Sequence, residues 1–262
     1  MLNFIKKIFS IFSIFLIFNL TFVNSAQAGP TNPTTASVGE GGSATAIKPQ
    51  AIAFNDDGTK MFVLHNRTNN GASQDDDRVE EYDLSSPFDI SSSSISSVQA
   101  FKIVKAQETA PRGLAFNNDG TKMFVVGTQE DGRVKNRVHE YTISTGFDLS
   151  STVNFVDSFS VNSQDTDPQG IAFNNDGTKM FVVGNQDDDV NEYTLSTGFD
   201  VSSASFVDEF EVDGQDNTPR GIAFSNDGKK MFVVGDQHSD INEYTLSTAF
   251  DVSSASLSLI HI

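Results

Sequence analysis

Short apolar runs, separated by turns of Asn, Asp, Gly and Ser, dominate the chain after residue 28. One unit of two such runs occurs four times, beginning at Pro49, Pro111, Pro168 and Pro219. The third copy reads Pro-Gln-Gly-Ile-Ala-Phe-Asn-Asn-Asp-Gly-Thr-Lys-Met-Phe-Val-Val, and in every copy the methionine follows the proline by 12 residues. A repeat with a period of 51 to 62 residues predicts a fold assembled from stacked, equivalent units.

Four antiparallel strands are predicted in each unit; in the third copy they span 170–173, 179–184, 191–196 and 206–212. The Asp-Gly pair between the first two strands predicts a tight hairpin, because glycine accepts a positive φ. The second strand is continuously apolar, as expected when both faces are covered, and the third and fourth alternate between polar and apolar residues. Small side chains in the first strand predict a crowded axis, at Ala53, Ala115, Ala172 and Ala223.

The predicted fold is therefore all-β: a β-propeller of four-stranded antiparallel blades. A β-solenoid is the alternative architecture, but its repeats are usually shorter and parallel. We predict the blades at about 49–106, 107–163, 164–213 and 214–256. The phenylalanine of each second strand is expected to be buried between blades: Phe62, Phe124, Phe181 and Phe232.

The number of blades is less well specified by the repeats. Four is the lower limit for a propeller, so the four repeats predict part of a larger one. The fourth copy has no recognisable fourth strand of its own. In a complete gene, residues 34–38 would pair with the third strand of a last blade beyond residue 262. Without that blade the ring stays open and the chain aggregates or oligomerises, which is our expectation. The alternative is that residues 34–38 supply the fourth strand of blade 4 and close a four-bladed ring.

The beginning of the chain has the pattern of a signal peptide over residues 1–28. Lys6 and Lys7 precede an apolar run, and Ala-Gln-Ala at 26–28 is typical of a cleavage site. A membrane anchor is the alternative, but the run is short for a span of roughly 20 residues. Residues 29–48 predict a flexible lead-in with a short closing strand. We expect a protein that is secreted, periplasmic or on the surface of a bacterium, with no stable membrane span after cleavage.

The last six residues, 257–262, match nothing in the repeat. They correspond to the translation of a common transposase sequencing adapter, so we interpret them as an artefact of a truncated gene. The alternative is a natural end strand, because Leu-Ser-Leu-Ile-His-Ile alternates passably.

Composition narrows the classes of partner. The net charge is −18, and it becomes −20 without residues 1–28, which contain two lysines and no acid. Nucleic acids require a basic surface and are therefore excluded as partners. The partner class left open is a protein, a glycan or a small molecule. The chain has no cysteine, so disulfides, thiolate metal sites and a cysteine nucleophile are excluded as well.

The unit Pro-x-Gly-Ile-Ala-Phe-x-x-Asp-Gly-x-Lys-Met-Phe-Val-Val resembles the repeat of YVTN-type β-propellers, and more loosely WD and NHL repeats. The resemblance covers residues 49 to about 256. It implies the propeller fold and little about activity, because such repeats occur in surface-layer proteins, secreted binding modules and lactonase-like enzymes.

Acidic loops are the best candidates for chemistry. In a propeller, the loop that enters a blade and the loop between its second and third strands emerge on one face. Oxygen ligands at this density favour Ca²⁺, although no loop has the complete spacing of a calcium-binding loop. The predicted calcium ligands are Asp165, Asp167, Asp187, Asp188 and Asp189. A solvated acidic rim is the alternative.

Arg112, Gln169 and Arg220 begin their first strands and are predicted to lie near the channel mouth, where they could contact a ligand. Pairing with neighbouring acids is the alternative. Three histidines, His65, His139 and His238, lie in or beside loops of different repeats. A three-histidine zinc site is conceivable, but exposed loop histidines explain them better. We identify no catalytic residue.

Three functional hypotheses follow. The first is an exported β-propeller that serves as a binding or surface module with an acidic loop face. The second is a calcium-dependent, lactonase-like hydrolase, and the third is a phage or virion surface protein. The lack of a catalytic constellation favours a protein that is not an enzyme.

Overall fold

The computed structural model describes residues 46–68, 77–91, 95–103, 110–128, 136–237 and 240–258. These residues form four sheets, each of four antiparallel strands in sequence order. The sheets are arranged as the blades of a β-propeller, which confirms the predicted fold class. Among the described residues, no helix has the length and apolarity needed to cross a membrane.

The strands follow the repeat. Blade 1 contains β1 (Ala46–Phe54), β2 (Lys60–Thr68), β3 (Arg78–Leu84) and β4 (Ile95–Lys102). Blade 2 contains β5 (Pro111–Phe116), β6 (Lys122–Gly127), β7 (Arg137–Ile143) and β8 (Val153–Ser160). Blade 3 contains β9 (Pro168–Phe173), β10 (Lys179–Gly184), β11 (Asp189–Leu195) and β12 (Ala204–Glu211). Blade 4 contains β13 (Pro219–Phe224), β14 (Lys230–Gly235), β15 (Ile241–Leu246) and β16 (Ala255–Leu257). Short 3-10 turns, Val201–Ser203 and Val252–Ser254, precede β12 and β16.

One expectation about blade 4 was wrong. The blade has its own fourth strand, because Ala255, Ser256 and Leu257 pair with β15. The open ring stays a prediction: residues of all four blades line one cavity of about 190 Å³, but among the described residues β13 does not pack against β1 as the other first strands pack against each other. In addition, Val234 of β14 packs against the core shared by blades 1 and 2. The proposed closing strand at 34–38 lies outside the described residues.

The first strands surround the axis, as the small alanines predicted. Strand β5 packs between β1 and β9, and β9 packs between β5 and β13. Ala115, Ala172 and Ala223 line the central cavity. A larger side chain at these positions would fill the cavity or push the inner strands apart.

Phenylalanines hold successive blades together. Phe124 of β6 lies against Phe173 of the next blade with ring centroids 4.5 Å apart, and Phe199 joins this pair. Phe199 adopts φ 57° and packs on the hairpin glycine Gly177, whose added Cβ would lie 2.2 Å from the ring. Glycine is therefore required at this hairpin for space as well as for its φ of 71°. The interfaces of blades 1 and 2 and of blades 3 and 4 repeat the cluster.

A lysine–glutamate pair adds a polar latch to the interfaces of blades 1 and 2, 2 and 3, and 3 and 4. In blade 2, Lys122 Nζ lies 2.7 Å from Glu140 Oε1. Glu140 Oε2 accepts a hydrogen bond from the backbone N–H of Val201 in blade 3 at 3.0 Å, while Lys122 donates to the Phe199 carbonyl at 2.7 Å. Equivalent glutamate bonds reach Leu149 from Glu81 at 2.7 Å and Val252 from Glu192 at 2.9 Å.

The seam between blades 4 and 1 is looser. Phe62, Phe124 and Phe181 are fully buried, as predicted, but Phe232 of blade 4 is only half-buried, so its predicted burial was wrong. Glu243 is 25% exposed, against 2% or less for Glu81 and Glu140. Within the described residues, no hydrogen bond joins Glu243 to the turn that follows β3 in blade 1, the equivalent of the turn that contains Leu149.

This asymmetry generates a prediction for the latch. Glu140→Ala leaves the Val201 N–H and the Lys122 ammonium without their buried partner, so we expect the free energy of unfolding to fall by about 1–3 kcal/mol. Glu243→Ala removes the same side chain at the exposed seam and should cost less than about 1 kcal/mol. Urea unfolding of both variants measures the difference. Equal losses would show that the glutamate does not latch the blades.

Candidate functional site

Two kinds of loop meet on one face of the propeller, which we call the loop face. They are the d–a loops, which join the fourth strand of one blade to the first strand of the next, and the b–c loops, which join second and third strands. In blade 3, the Asn185 backbone N–H donates to the Asp167 carbonyl at 3.1 Å, and Thr166 Oγ1 donates to Gln186 Oε1 at 3.0 Å. The acidic loops of blade 3 are therefore adjacent, which is the arrangement that the calcium prediction requires.

The five acids predicted as calcium ligands have different surroundings. Asp165 and Asp189 are buried, with exposed fractions of 1% and 3%, and each feels the negative charge of exposed Asp187. Asp167 instead accepts hydrogen bonds from Gln169 Nε2 at 2.7 Å and Asn185 Nδ2 at 3.2 Å. Asp188 takes a φ of 56° and interacts with the acids of the next d–a loop. The structure thus brings the charges of Asp167, Asp187 and Asp189 close to Asp165, while Asp188 is repelled by the acids of the next d–a loop.

A turn holds Asp165 in place. The backbone N–H groups of Gln164 and Asp165 both donate to the Val161 carbonyl, and Asp165 Oδ1 accepts the Asp167 N–H at 2.6 Å. A Cβ on Gly184 would lie only 1.4 Å from Asp165 Oδ2. The carboxylate can fold over the end of β10 only because the residue there is glycine.

Burial and like charges act together on these carboxylates. Burial raises the pKa of Asp189 to about 7, and the negative charges of Asp165, Glu209 and Asp187 add to the shift. Burial also raises the pKa of Asp165 to about 6, against the opposing effect of the Asp167 N–H. Ionised carboxylates in this cluster therefore destabilise the folded chain near neutral pH.

The opposite face carries the a–b hairpins and c–d turns, and we call it the turn face. Its acids behave in the opposite way. A side-chain hydrogen bond from Thr178 and a backbone hydrogen bond lower the pKa of Asp176, which is almost fully exposed. The same arrangement, with Thr59 and Thr121 as donors, lowers the pKa of Asp57 and Asp119. For Asp227 the lowering comes from the hydroxyl of Ser225 and the backbone N–H of Lys229. Acids on the turn face stabilise hairpins, whereas those on the loop face repel each other.

A β-bulge in each blade presents the residue after the proline at the entrance of the first strand. These residues are Gln50, Arg112, Gln169 and Arg220. Arg220 donates to Gln169 Oε1 and to Asp236 Oδ2, both at 2.9 Å, and Arg112 reaches Gln50 Oε1 at 3.4 Å. Bulges commonly redirect a side chain in this way. Arginines and glutamines therefore pair across blades, and Arg220 pairs with an acid as the alternative interpretation expected.

The histidines do not gather at one place in the part of the chain that is described. His65 is buried with Nε2 3.0 Å from Glu80 Oε2, and His139 is buried in blade 2. His238 lies outside the described residues. No group of three or more His, Asp or Glu side chains within the described ranges is arranged to hold a metal ion. The two-carboxylate cluster would need amide, hydroxyl or water oxygens to complete a coordination shell.

Two such oxygens were missed by the sequence analysis. Asn191 and Tyr193 of β11 are completely buried, and Asn191 Oδ1 and the Tyr193 hydroxyl have no hydrogen-bond partner. Burial raises the pKa of the Tyr193 hydroxyl, and the charges of Asp165 and Asp189 raise it further, so this hydroxyl lies near both carboxylates. One sequence signal could have found them. The third strands of copies 3 and 4 share Asn and Tyr at equivalent positions, Asn191 and Tyr193 in copy 3, although most of the strand is expected to be covered by the next blade.

Comparison with known proteins supports the fold. No protein-family model and no curated protein matches the chain. A solved structure of a Lactobacillus plantarum protein aligns with a TM-score of 0.51 at 14% identity, over 82% of this chain and 55% of that one. The Pseudomonas aeruginosa periplasmic gluconolactonase aligns with a TM-score of 0.45 at 16% identity, over 81% and 52%. The β-propeller domain of Myceliophteria thermophila Swd1 gives 0.46 at 12% identity, over 77% and 54%.

The chain spans about half the length of these solved structures. At such low identity, the likeness to the Lactobacillus plantarum structure concerns the fold alone and says nothing about activity.

The raised pKa values predict how stability depends on pH. A carboxyl whose pKa is higher in the folded than in the unfolded chain is protonated in both states below pH 4, so it does not affect stability there. The free energy of unfolding falls as pH rises from that value through the folded pKa. In the presence of a chelator, Asp189→Asn should therefore gain stability relative to the unmodified chain as pH rises from about 4 to 7. Thermal unfolding as a function of pH measures this gain.

The matched control is Asp208→Asn, which removes one exposed carboxylate from β12 of the same blade. Its effect on the unfolding temperature should change little over the same pH range. A pH-independent difference between Asp189→Asn and the unmodified chain would contradict the burial of an ionisable Asp189.

Proposed function

We propose that this protein is an exported β-propeller that works as a binding module, and that the loop face is its binding surface. The observation that carries the proposal is the opposite behaviour of the acids on the two faces. Acids on the turn face bond to neighbouring hydroxyl and N–H groups, so their charge stabilises the fold. On the loop face, Asp165 and Asp189 are buried and lie close to other acids, so their charge opposes folding.

Crowded like charges are typical of functional sites, since a structural role does not require them. A ligand of opposite charge would relieve the repulsion, and its approach would be accelerated by the field of the whole acidic chain. The net charge of −18 has the sign needed for such steering. We therefore assign a positively charged partner to the loop face, with a basic protein segment as the ligand that fits the acidic loops of blades 3 and 4.

Export is the second part of the proposal. It rests on the signal-peptide pattern of residues 1–28, which lie outside the described residues. The partner would accordingly be met outside the cytoplasm, on or beyond a bacterial cell surface.

An oligolysine peptide is a suitable probe of the charge preference. Asp187→Asn/Asp213→Asn removes two exposed carboxylates from the loop face, and we expect it to weaken oligolysine binding by on the order of fivefold. Increasing salt should reduce both affinities and the difference between them. Isothermal titration calorimetry measures each affinity.

The control, Asp157→Asn/Asp208→Asn, removes two exposed carboxylates from the outer strands β8 and β12. Its affinity for oligolysine should stay close to that of the unmodified chain. If both double variants weaken binding equally, the acidity acts only as overall charge and the loop face is not the binding surface.

A further inference from the structure

One position in the third strand separates the blades into two pairs. It is occupied by Arg78 in blade 1, Arg137 in blade 2, Asp189 in blade 3 and Asp240 in blade 4. Blades 1 and 2 thus carry a positive charge where blades 3 and 4 carry a negative one. The backbone around the position is equivalent, because each residue begins or immediately precedes the same strand.

In blade 1 the arginine completes a polar network. Arg78 Nη2 lies 2.6 Å from Glu80 Oε1, and the Tyr82 hydroxyl donates to Glu80 Oε2. Burial alone would raise the pKa of Glu80, but hydrogen bonds from His65, Tyr82 and Arg78 outweigh it and lower that pKa to about 2. In blade 2, Arg137 Nε donates to Ser158 Oγ at 2.8 Å.

In blade 3 the corresponding space holds oxygen atoms without a cation. Asn191 Nδ2 donates to Asp189 Oδ1 at 2.6 Å, which leaves Asn191 Oδ1 without a partner. Asp165 Oδ2 and the Tyr193 hydroxyl also have none. Within the described residues, no Lys, Arg or His side chain forms an ion pair with either carboxylate. Buried acceptors left unpaired are costly, and their grouping indicates that something absent from the chain itself satisfies them.

We propose that blade 3 binds a divalent cation, with Ca²⁺ as the best fit, through Asp165, Asp189 and Asn191, in the place that an arginine occupies in blades 1 and 2. Calcium accepts six to eight oxygen ligands in flexible geometry and tolerates amide oxygens and water beside carboxylates. Mg²⁺ fits less well, because it demands a near-ideal octahedron and gives up its water reluctantly. Two carboxylates suggest the weak affinity of extracellular calcium modules, about 10⁻⁴–10⁻³ M.

The chain also makes room for this arrangement. Asp165 folds over Gly184, whereas blade 1 has His65 at the glycine position and Ala46 in place of the aspartate. Blade 4 is a partial copy, with Asp216 folded over Gly235 and Asn242 Nδ2 3.2 Å from Asp240 Oδ1. There, however, the Tyr244 hydroxyl bonds to Gln215 at 3.2 Å. Blade 4 therefore offers fewer unpaired oxygens, and we expect it to bind the cation more weakly.

The inference does not depend on a protein partner. A cation site in blade 3 would be present whether or not the loop face binds a basic segment. The test accordingly contains no partner, so the failure of one proposal leaves the other standing.

The test is thermal unfolding of the chelator-treated chain, titrated with CaCl₂ or MgCl₂. We expect Ca²⁺ to raise the unfolding midpoint by about 5–10 °C at a concentration 100-fold above Kd, and Mg²⁺ to raise it less. Asp189→Arg reproduces the charge of blades 1 and 2, so it should abolish the calcium-dependent shift without lowering the midpoint measured in chelator. Asp240→Arg in blade 4 is the matched control and should keep the main shift.

A second variant protects the test against misfolding of Asp189→Arg. Asp165→Asn removes a buried, unpaired charge with almost no change in shape, so the chelated midpoint should be maintained while the calcium shift is lost. The inference is overturned if the unmodified chain shows no calcium-dependent shift up to about 10 mM, ten times the weak end of the affinity range. It is equally overturned if both Asp189→Arg and Asp165→Asn keep the shift.

Discussion

A blade of this propeller cannot bury both of its faces alone, so the contact between successive blades is the constraint on which the structure depends. Each contact has an apolar part and a polar part. The phenylalanine of the second strand packs against a phenylalanine of the next blade, with tilted rings and centroids 4.4–4.6 Å apart. A buried glutamate then binds a backbone N–H in the c–d turn of that blade. Both parts recur because the repeat conserves their residues in register, and this explains why unequal b–c loops are tolerated.

The two faces of the propeller differ in how tightly hydrogen bonds hold them. On the turn face, hairpin and turn are tied to each other and to the next blade, and side chains such as Asn118 and Asn175 reach the backbone of the following hairpin at 2.6 and 2.8 Å. The loop face is under less constraint, since the loops of blade 3 bond mainly to each other. Charge can therefore vary there from blade to blade, as it does between Arg137 and Asp189. Variation on a fixed scaffold is how propellers acquire binding functions.

Much of the fold could be predicted because the pattern is strictly local. The apolar run at 179–184 is β10 without any adjustment, as it is bounded by a lysine and a glycine. Strand β11 begins at Asp189, two residues earlier than predicted. The run of acids that contains Asp189 is typical of a loop, but Asp189 pairs with Glu211 of β12. The positive φ of Phe199 was also missed, because Gly198 next to it is the residue expected to adopt such a conformation. Its cause is tertiary: the ring is held by Gly177 and by the preceding blade.

The candidate site was predictable only in part. The density of acids located Asp165 and Asp189, since the topology of a propeller brings d–a and b–c loops together. It did not show that Asp167 accepts hydrogen bonds from two amide side chains, whereas Asp165 Oδ2 accepts none. It also missed Asn191 and Tyr193, because polar residues within a strand are normally taken to face solvent. Which polar atoms remain unpaired depends on the packing of the next blade, which no local pattern contains.

Native-state hydrogen exchange tests the blade-to-blade latch most directly. The backbone N–H groups of Leu149, Val201 and Val252 lie in turns, where exchange is normally fast, but each is bonded to a buried glutamate of the preceding blade. The account predicts that these three amides exchange as slowly as those of the central strands, and that Ile90, at the equivalent position facing the seam, exchanges faster. Exchange of all four at the rate of ordinary surface turns would contradict it.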